Sequence, residues 1–181
     1  VKEAIIPEGA SVIPKSQFFE CRSLEKVYLP ESVSGIEDYA FADCHVLKVW
    51  ESIEKLSLKS VGISAFENCY ALEFVSLPDS LTVIGGAAFA ECVSVNKLIF
   101  SDTSLLKKIG DHAFRGCRYL TEVYLPDSVE YVGVSAFRDC SSLEQISVSE
   151  KIKKQPGIAE LEKNCPNARI RFREVNSVEK E

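Results

Sequence analysis

Phe-x-x-Cys occurs six times in this chain, at Phe18/Cys21, Phe41/Cys44, Phe66/Cys69, Phe89/Cys92, Phe114/Cys117 and Phe137/Cys140. A seventh cysteine, Cys165, keeps the beat, and the cysteine separations alternate between 23 and 25 residues, a true period of 48. Self-similarity at this scale marks a solenoid, in which no unit can bury its own apolar face and each stacks on the next. No other feature constrains the fold as tightly.

The short unit reads, from Cys117, as Leu120, Val123, Leu125-Pro126-Asp127-Ser128-Val129, Val132 and Ala136-Phe137, with matching phrases after Cys21 and Cys69. Apolar residues at Val123 and Leu125 follow strand alternation. Pro126 cannot donate a hydrogen bond and so ends the strand. Pro-Asp-Ser then suits a type I turn, with proline presetting φ. Val129 and Val132 supply an inward pair on the return path, and Ala-Phe-x-x-Cys reads as a single helical or 3-10 turn that buries Phe and Cys. The long units lack Leu-Pro and carry two extra residues, as in Phe100-Ser101-Asp102-Thr103-Ser104-Leu105. In the weakest copy Trp50 and Ser52 stand where Val and Leu stand elsewhere, and Ile53, Leu56 and Leu58 offer a competing strand register. The cysteine spacing favours the register through Trp50.

A partial unit at Ala4, Ile6-Pro7 and Ile13 opens the array. Together the units predict an α/β repeat solenoid of about eight strands, centred near residues 4, 27, 50, 75, 98, 123, 146 and 170, with a length of roughly 34 Å at the spacing of neighbouring strands. The expected layout is a single solenoid over 1–175, with 151–175 as a carboxy-terminal capping unit and 176–181 as a disordered tail. Within the cap, Ile158, Leu161 and Cys165 lie on one face of a short helix. Ala168, Ile170 and Phe172 then point inward from a last strand whose Arg169, Arg171 and Arg173 point outward, which discourages edge-to-edge pairing.

Each cysteine occupies the same site in its own unit, so the seven form a ladder of small buried thiols. Adjacent rungs about 5 Å apart would hold the side chains parallel rather than facing, which favours free thiols over disulfides. No Cys-x-x-Cys exists, and the two histidines, His45 and His112, sit at variable sites, His112 in an exposed loop position, so neither zinc nor a catalytic dyad is expected. Asp79, Asp127 and Glu31 share a turn site but lie two rungs apart, about 10 Å, too far for calcium, and read as turn residues. Gly85-Gly86 is a turn and not a phosphate loop. With 27 acidic and 21 basic residues the net charge is −6, which argues against a nucleic-acid partner. No apolar run is long enough to insert in a membrane. The chain begins at Val1 without Met or a secretory signal, as an excised or mature segment would.

The phrase Leu120-x-x-Val123-x-Leu125-Pro126-Asp127-Ser128-Val129-x-x-Val132-Gly133-x-x-Ala136-Phe137-x-x-Cys140 resembles the consensus of BspA-type leucine-rich repeats, and the likeness covers nearly the whole chain. The resemblance implies a right-handed solenoid with a parallel β-sheet on its concave face. It implies a cell-surface or secreted protein of the adhesin kind, as often found in host-associated bacteria and some parasitic protists. The partner would be a protein, such as a host or extracellular-matrix protein. The family has no catalytic motif, so the resemblance implies no enzyme and no cofactor, and it places no functional residue. Seven reduced thiols pull the other way, toward the cytoplasm.

What the repeat leaves free is the outer face of the strands. One column runs Lys26, Val49, Phe74, Lys97, Glu122, Gln145, and the other Tyr28, Glu51, Ser76, Ile99, Tyr124, Ser147. Tyr28, Phe74, Ile99 and Tyr124 beside Lys97 and Glu122 have the composition of a partner-binding patch. Strand propensity and cross-strand pairing account for the same residues equally well. Two readings therefore stand: a non-enzymatic binding module working through the concave sheet, or a structural spacer within a longer array.

Overall fold

Six successive turns of the chain each contribute one long and one short strand to a parallel-strand solenoid of about seven turns with few helices. The computed structural model describes residues 1–52 and 56–174, with the backbone alone for 49–52. The strands alternate as β1 (Glu3–Ile5), β2 (Val12–Ile13), β3 (Lys26–Leu29), β4 (Gly35–Ile36), β5 (Val49–Ser52), β6 (Ser60–Val61) and β7 (Phe74–Ser76). They continue as β8 (Val83–Ile84), β9 (Lys97–Ile99), β10 (Lys108–Ile109), β11 (Glu122–Tyr124), β12 (Tyr131–Val132) and β13 (Gln145–Ser149). A 3-10 turn (Glu150–Ile152), α1 (Pro156–Ala159), α2 (Leu161–Asn164) and β14 (Arg169–Arg173) follow. The eight expected strands are the eight long ones. The proposed tail at 176–181 lies outside the described residues.

The long strands pair in parallel as β1-β3-β5 and as β7-β9-β11-β13-β14, and no ladder joins β5 to β7 among the described residues. β5 takes the register set by the cysteines, with Val27 opposite Trp50 and Leu29 opposite Ser52. The short strands form a second, six-stranded parallel sheet, β2-β4-β6-β8-β10-β12, where the repeat pattern alone predicts only an inward pair. Between the sheets runs one continuous core from Ile13 to Cys165. At the end of each short unit, Val129 donates its amide hydrogen to the Pro126 carbonyl at 3.1 Å, as Val33 does to Pro30. Proline therefore holds the first corner of the turn, not the second, and its contribution is to stop the strand.

The Ala-Phe-x-x-Cys segment behaves as a 3-10 turn in half of its hydrogen bonds. The amides of Ala40, Ala42 and Cys44 donate to Glu37, Tyr39 and Phe41, three residues back. Those of Tyr39, Phe41 and Asp43 donate instead to Ile63, Ala65 and Glu67 of the next coil, at 2.9, 2.8 and 2.8 Å. This alternation satisfies every amide while locking coil to coil, and it is why no helix propagates. It requires left-handed backbone at two sites per coil, Tyr39 (φ 57°) and Asp43 (φ 60°) here, and Ser64, Ala87, His112 and Ser135 repeat the first of them. Inside, the phenylalanines stack in one column, with ring centroids 5.1 Å apart from Phe18 to Phe41 and 5.5 Å apart from Phe114 to Phe137.

Candidate functional site

The thiols are the first place to look for chemistry, and the coil geometry turns them into scaffold. Six of the seven, Cys21 excepted, donate to the phenylalanine carbonyl of the preceding coil: for example Cys44 to Phe18 at 3.1 Å, Cys92 to Phe66 at 3.0 Å and Cys165 to Phe137 at 3.1 Å. All seven cysteines are free, and only Cys21 is more than slightly exposed. Burial pushes the Cys44 thiol up to about 12 and Cys165 to about 11, and raises Cys69, Cys92, Cys117 and Cys140 as well. A thiol held protonated in this way is a poor nucleophile.

Neither histidine faces a thiol in a usable pair. His45 lies flat on Tyr70, centroids 4.7 Å apart, with Nε2 3.5 Å from Asp43 Oδ1. His112 is half-buried rather than exposed, and its Nδ1 has no hydrogen-bond partner among the described residues. The turn carboxylates are engaged separately. Asp79 accepts hydrogen bonds from Ser101 and from Thr103, the latter at 2.5 Å, so the long unit's inserted loop wraps the preceding turn. Asp127 pairs with Arg173 at 2.7 Å. Among the described residues, no three His, Cys, Asp or Glu side chains are grouped to hold a metal, and no helix is long and apolar enough to cross a membrane.

The outer face of the long strands brings five of the six candidate residues together on three adjacent strands. Phe74 on β7 lies opposite Lys97 on β9, and Lys97 lies opposite Glu122 on β11. Phe74 (46% exposed) on the edge strand, and Ile99 (38%) and Tyr124 (51%) with strands on both sides, keep large apolar surface in solvent. Tyr28 is not part of this group. It sits on β3 in the other long-strand sheet, half-buried, with the Lys26 ammonium 4.8 Å from its ring centre. Val49 and Glu51, which share its face in the sequence pattern, lie outside the described side chains. Beside Ile99 a cleft of about 490 Å³ opens, lined by Leu56, Leu77, Pro78, Ile99 and Phe100, a recess that no spacing rule could anticipate.

The far end of this face departs from the expected columns. Ser147 and Ser149 are buried; Ser149 Oγ accepts from the Lys151 amide, and Arg173 folds back over Ser147 on β13 instead of projecting outward. Its Nη1 donates to Ser147 Oγ at 2.8 Å, and its Nη2 to the Leu125 carbonyl at 2.6 Å and to Asp127 at 2.7 Å. The guanidinium carbon lies 3.8 Å from the centre of the Tyr124 ring. One face of that ring is therefore occupied by the protein itself, and the other half of the side chain remains available.

A family profile described as "BspA type Leucine rich repeat region" matches six copies, over residues 1–104 and 59–159. No curated protein sequence matches. Among solved structures, a T. pallidum leucine-rich repeat protein is 26% identical with a TM-score of 0.73, over 95% of this chain and 87% of that one. The pneumococcal vaccine antigen PcpA is 26% identical with a TM-score of 0.72, over 83% of this chain but only 41% of the antigen. A leucine-rich cell surface protein of Faecalibacterium prausnitzii, 23% identical with a TM-score of 0.58 over 98% of this chain and 61% of that one, shares the fold.

Proposed function

The chain belongs to the BspA-type leucine-rich-repeat family, and from that premise we propose that it is a non-enzymatic, adhesin-like module that binds a protein partner at the cell surface. The observation that carries this reading is the cluster of Phe74, Ile99 and Tyr124 around the Lys97–Glu122 pair, exposed on adjacent strands at positions that core packing does not dictate. Large apolar anchors ringed by charge are the composition of binding hot spots. The cleft beside Ile99 supports it, since an anchor from the partner needs a recess to be desolvated. The surface location draws on the likeness to a pneumococcal vaccine antigen.

The solenoid's contribution is rigidity. Strands joined by continuous ladders present the patch preorganised, so little conformational entropy is lost on binding. The immobilised protein should capture proteins from a host extracellular-matrix preparation. A variant combining Phe74→Ser, Ile99→Ser and Tyr124→Ser should fail to do so while retaining a cooperative melt. Equal capture by that variant would remove the patch from the account and leave the solenoid as a spacer.

A further inference from the structure

The terminal strand of the long-strand sheet carries three arginines on one face, in a protein whose net charge is −6. Protection against strand-edge pairing accounts for a charge there, but not for the same sign at every outward position, nor for their different fates. Arg173 is neutralised by Asp127 and fixed by Ser147, Leu125 and Tyr124. Arg169 and Arg171 are exposed, with no ion pair among the described residues. Arg169 lies opposite Gln145 in the column that runs on to Glu122 and Lys97, and Arg171 lies opposite Ser147 in the column of Tyr124. The arginines thus continue the face that bears the apolar anchors.

Two residues apart on one strand, the guanidinium groups start from Cα atoms about 6.6 Å from each other. That is the repeat at which an extended peptide presents successive side chains on one of its own faces. Guanidinium binds carboxylate through paired, charge-assisted hydrogen bonds, which a fixed spacing converts into selectivity. We propose that the partner segment received at this end of the sheet is an extended acidic peptide, with carboxylates at alternate positions engaging Arg169 and Arg171. The inference rests on the binding-surface reading above and adds the partner's chemistry to it. The overall negative charge of the protein makes the interaction local, since screening confines it to about 8–10 Å at ordinary salt.

The test uses the full chain and a fluorescein-labelled peptide of alternating Glu and Thr, about 12 residues long, followed by anisotropy at low and ordinary salt. The unaltered protein should bind it, more weakly as salt rises. R169S/R171S should bind it about tenfold more weakly, and R169E/R171E should instead take up the corresponding Lys-Thr peptide. Lys59→Ser with Lys163→Ser, which removes two cations elsewhere, should bind as the unaltered protein does. Absent binding to the unaltered protein, equal loss in the Lys59/Lys163 variant, or retention by R169S/R171S would each overturn the inference, as would heparin binding in preference to the peptide. The two readings fail separately. A matrix protein lost by the Phe74/Ile99/Tyr124 variant but kept by R169S/R171S leaves the sheet as the binding surface and removes its acidic specificity.

Discussion

A cysteine that recurs every 23 or 25 residues holds its coil by donating to a carbonyl one coil back, and its buried thiol resists ionisation. That has a measurable consequence at high pH. Below about pH 9 the thiol is protonated in both folded and unfolded chains and contributes no pH dependence. Above the unfolded value the unfolded chain releases the proton and the folded chain keeps it, so stability falls as pH rises. For Cys44 the window runs from the ordinary 9.0 to about 12. Replacement by alanine should cost about 1 kcal/mol at pH 7, from the lost sulfur contacts. Chemical denaturation across pH 8–10.5 should show that deficit shrink by about 1.4 kcal/mol per pH unit above 9 and then reverse. A deficit independent of pH would mean that the thiol is not desolvated. The core role of these residues was legible from periodicity alone, and so was the turn role of Asp127. The left-handed sites were not, because Tyr39, Ser64, Ala87, His112 and Ser135 carry no glycine to announce them. Their conformation is imposed by bonds to the neighbouring coil.

Among the elements, seven of the eight long strands could be read directly from an alternating apolar pair, and the eighth, with Trp50 and Ser52, only from the cysteine spacing. The second sheet could not. Its strands are two residues long, too short for an alternating pattern, and exist only because stacking brings Ile36, Val61, Ile84 and Ile109 of successive coils into one ladder. The stacking also sets how closely coils approach. A Cβ on Gly110 would lie 2.5 Å from Gly86 N and 2.6 Å from the Gly85 carbonyl carbon, both backbone atoms that cannot swing aside. Gly110→Ala should therefore push adjacent coils apart and lower stability by about 2 kcal/mol or more, read from the denaturation midpoint. An unchanged midpoint would show that the coils slide past each other freely. The candidate site was legible to a similar degree. Alternation put Phe74, Lys97, Ile99, Glu122 and Tyr124 on one face correctly. Tyr28 shares their column in the repeat pattern but lies on β3, in a sheet that no ladder joins to β7 among the described residues.

At the scale of the molecule, a solenoid's stability is a chain of nearest-neighbour interfaces, and its ends are held by whatever closes them. Arg173 ties β14 to β11 and β13, bonding across 48 residues of sequence to the Leu125 carbonyl. Arg173→Ala should cost about 1–3 kcal/mol. Hydrogen exchange should quicken first in Arg169–Arg173 and leave Phe74–Ser76 unchanged, whereas uniform acceleration would argue against a cap. The same strand carries the surface of interest onward. The core repeat thus explains the scaffold, and the outer face of the long strands is where recognition is proposed. Hydroxyl-radical footprinting of the protein alone and with a captured matrix protein bears on this most directly. Phe74 and Tyr124 should lose reactivity on binding, while Tyr39 and Tyr119, exposed elsewhere on the coils, should keep theirs. Protection of Tyr39 and Tyr119 with Phe74 and Tyr124 unchanged would contradict the account.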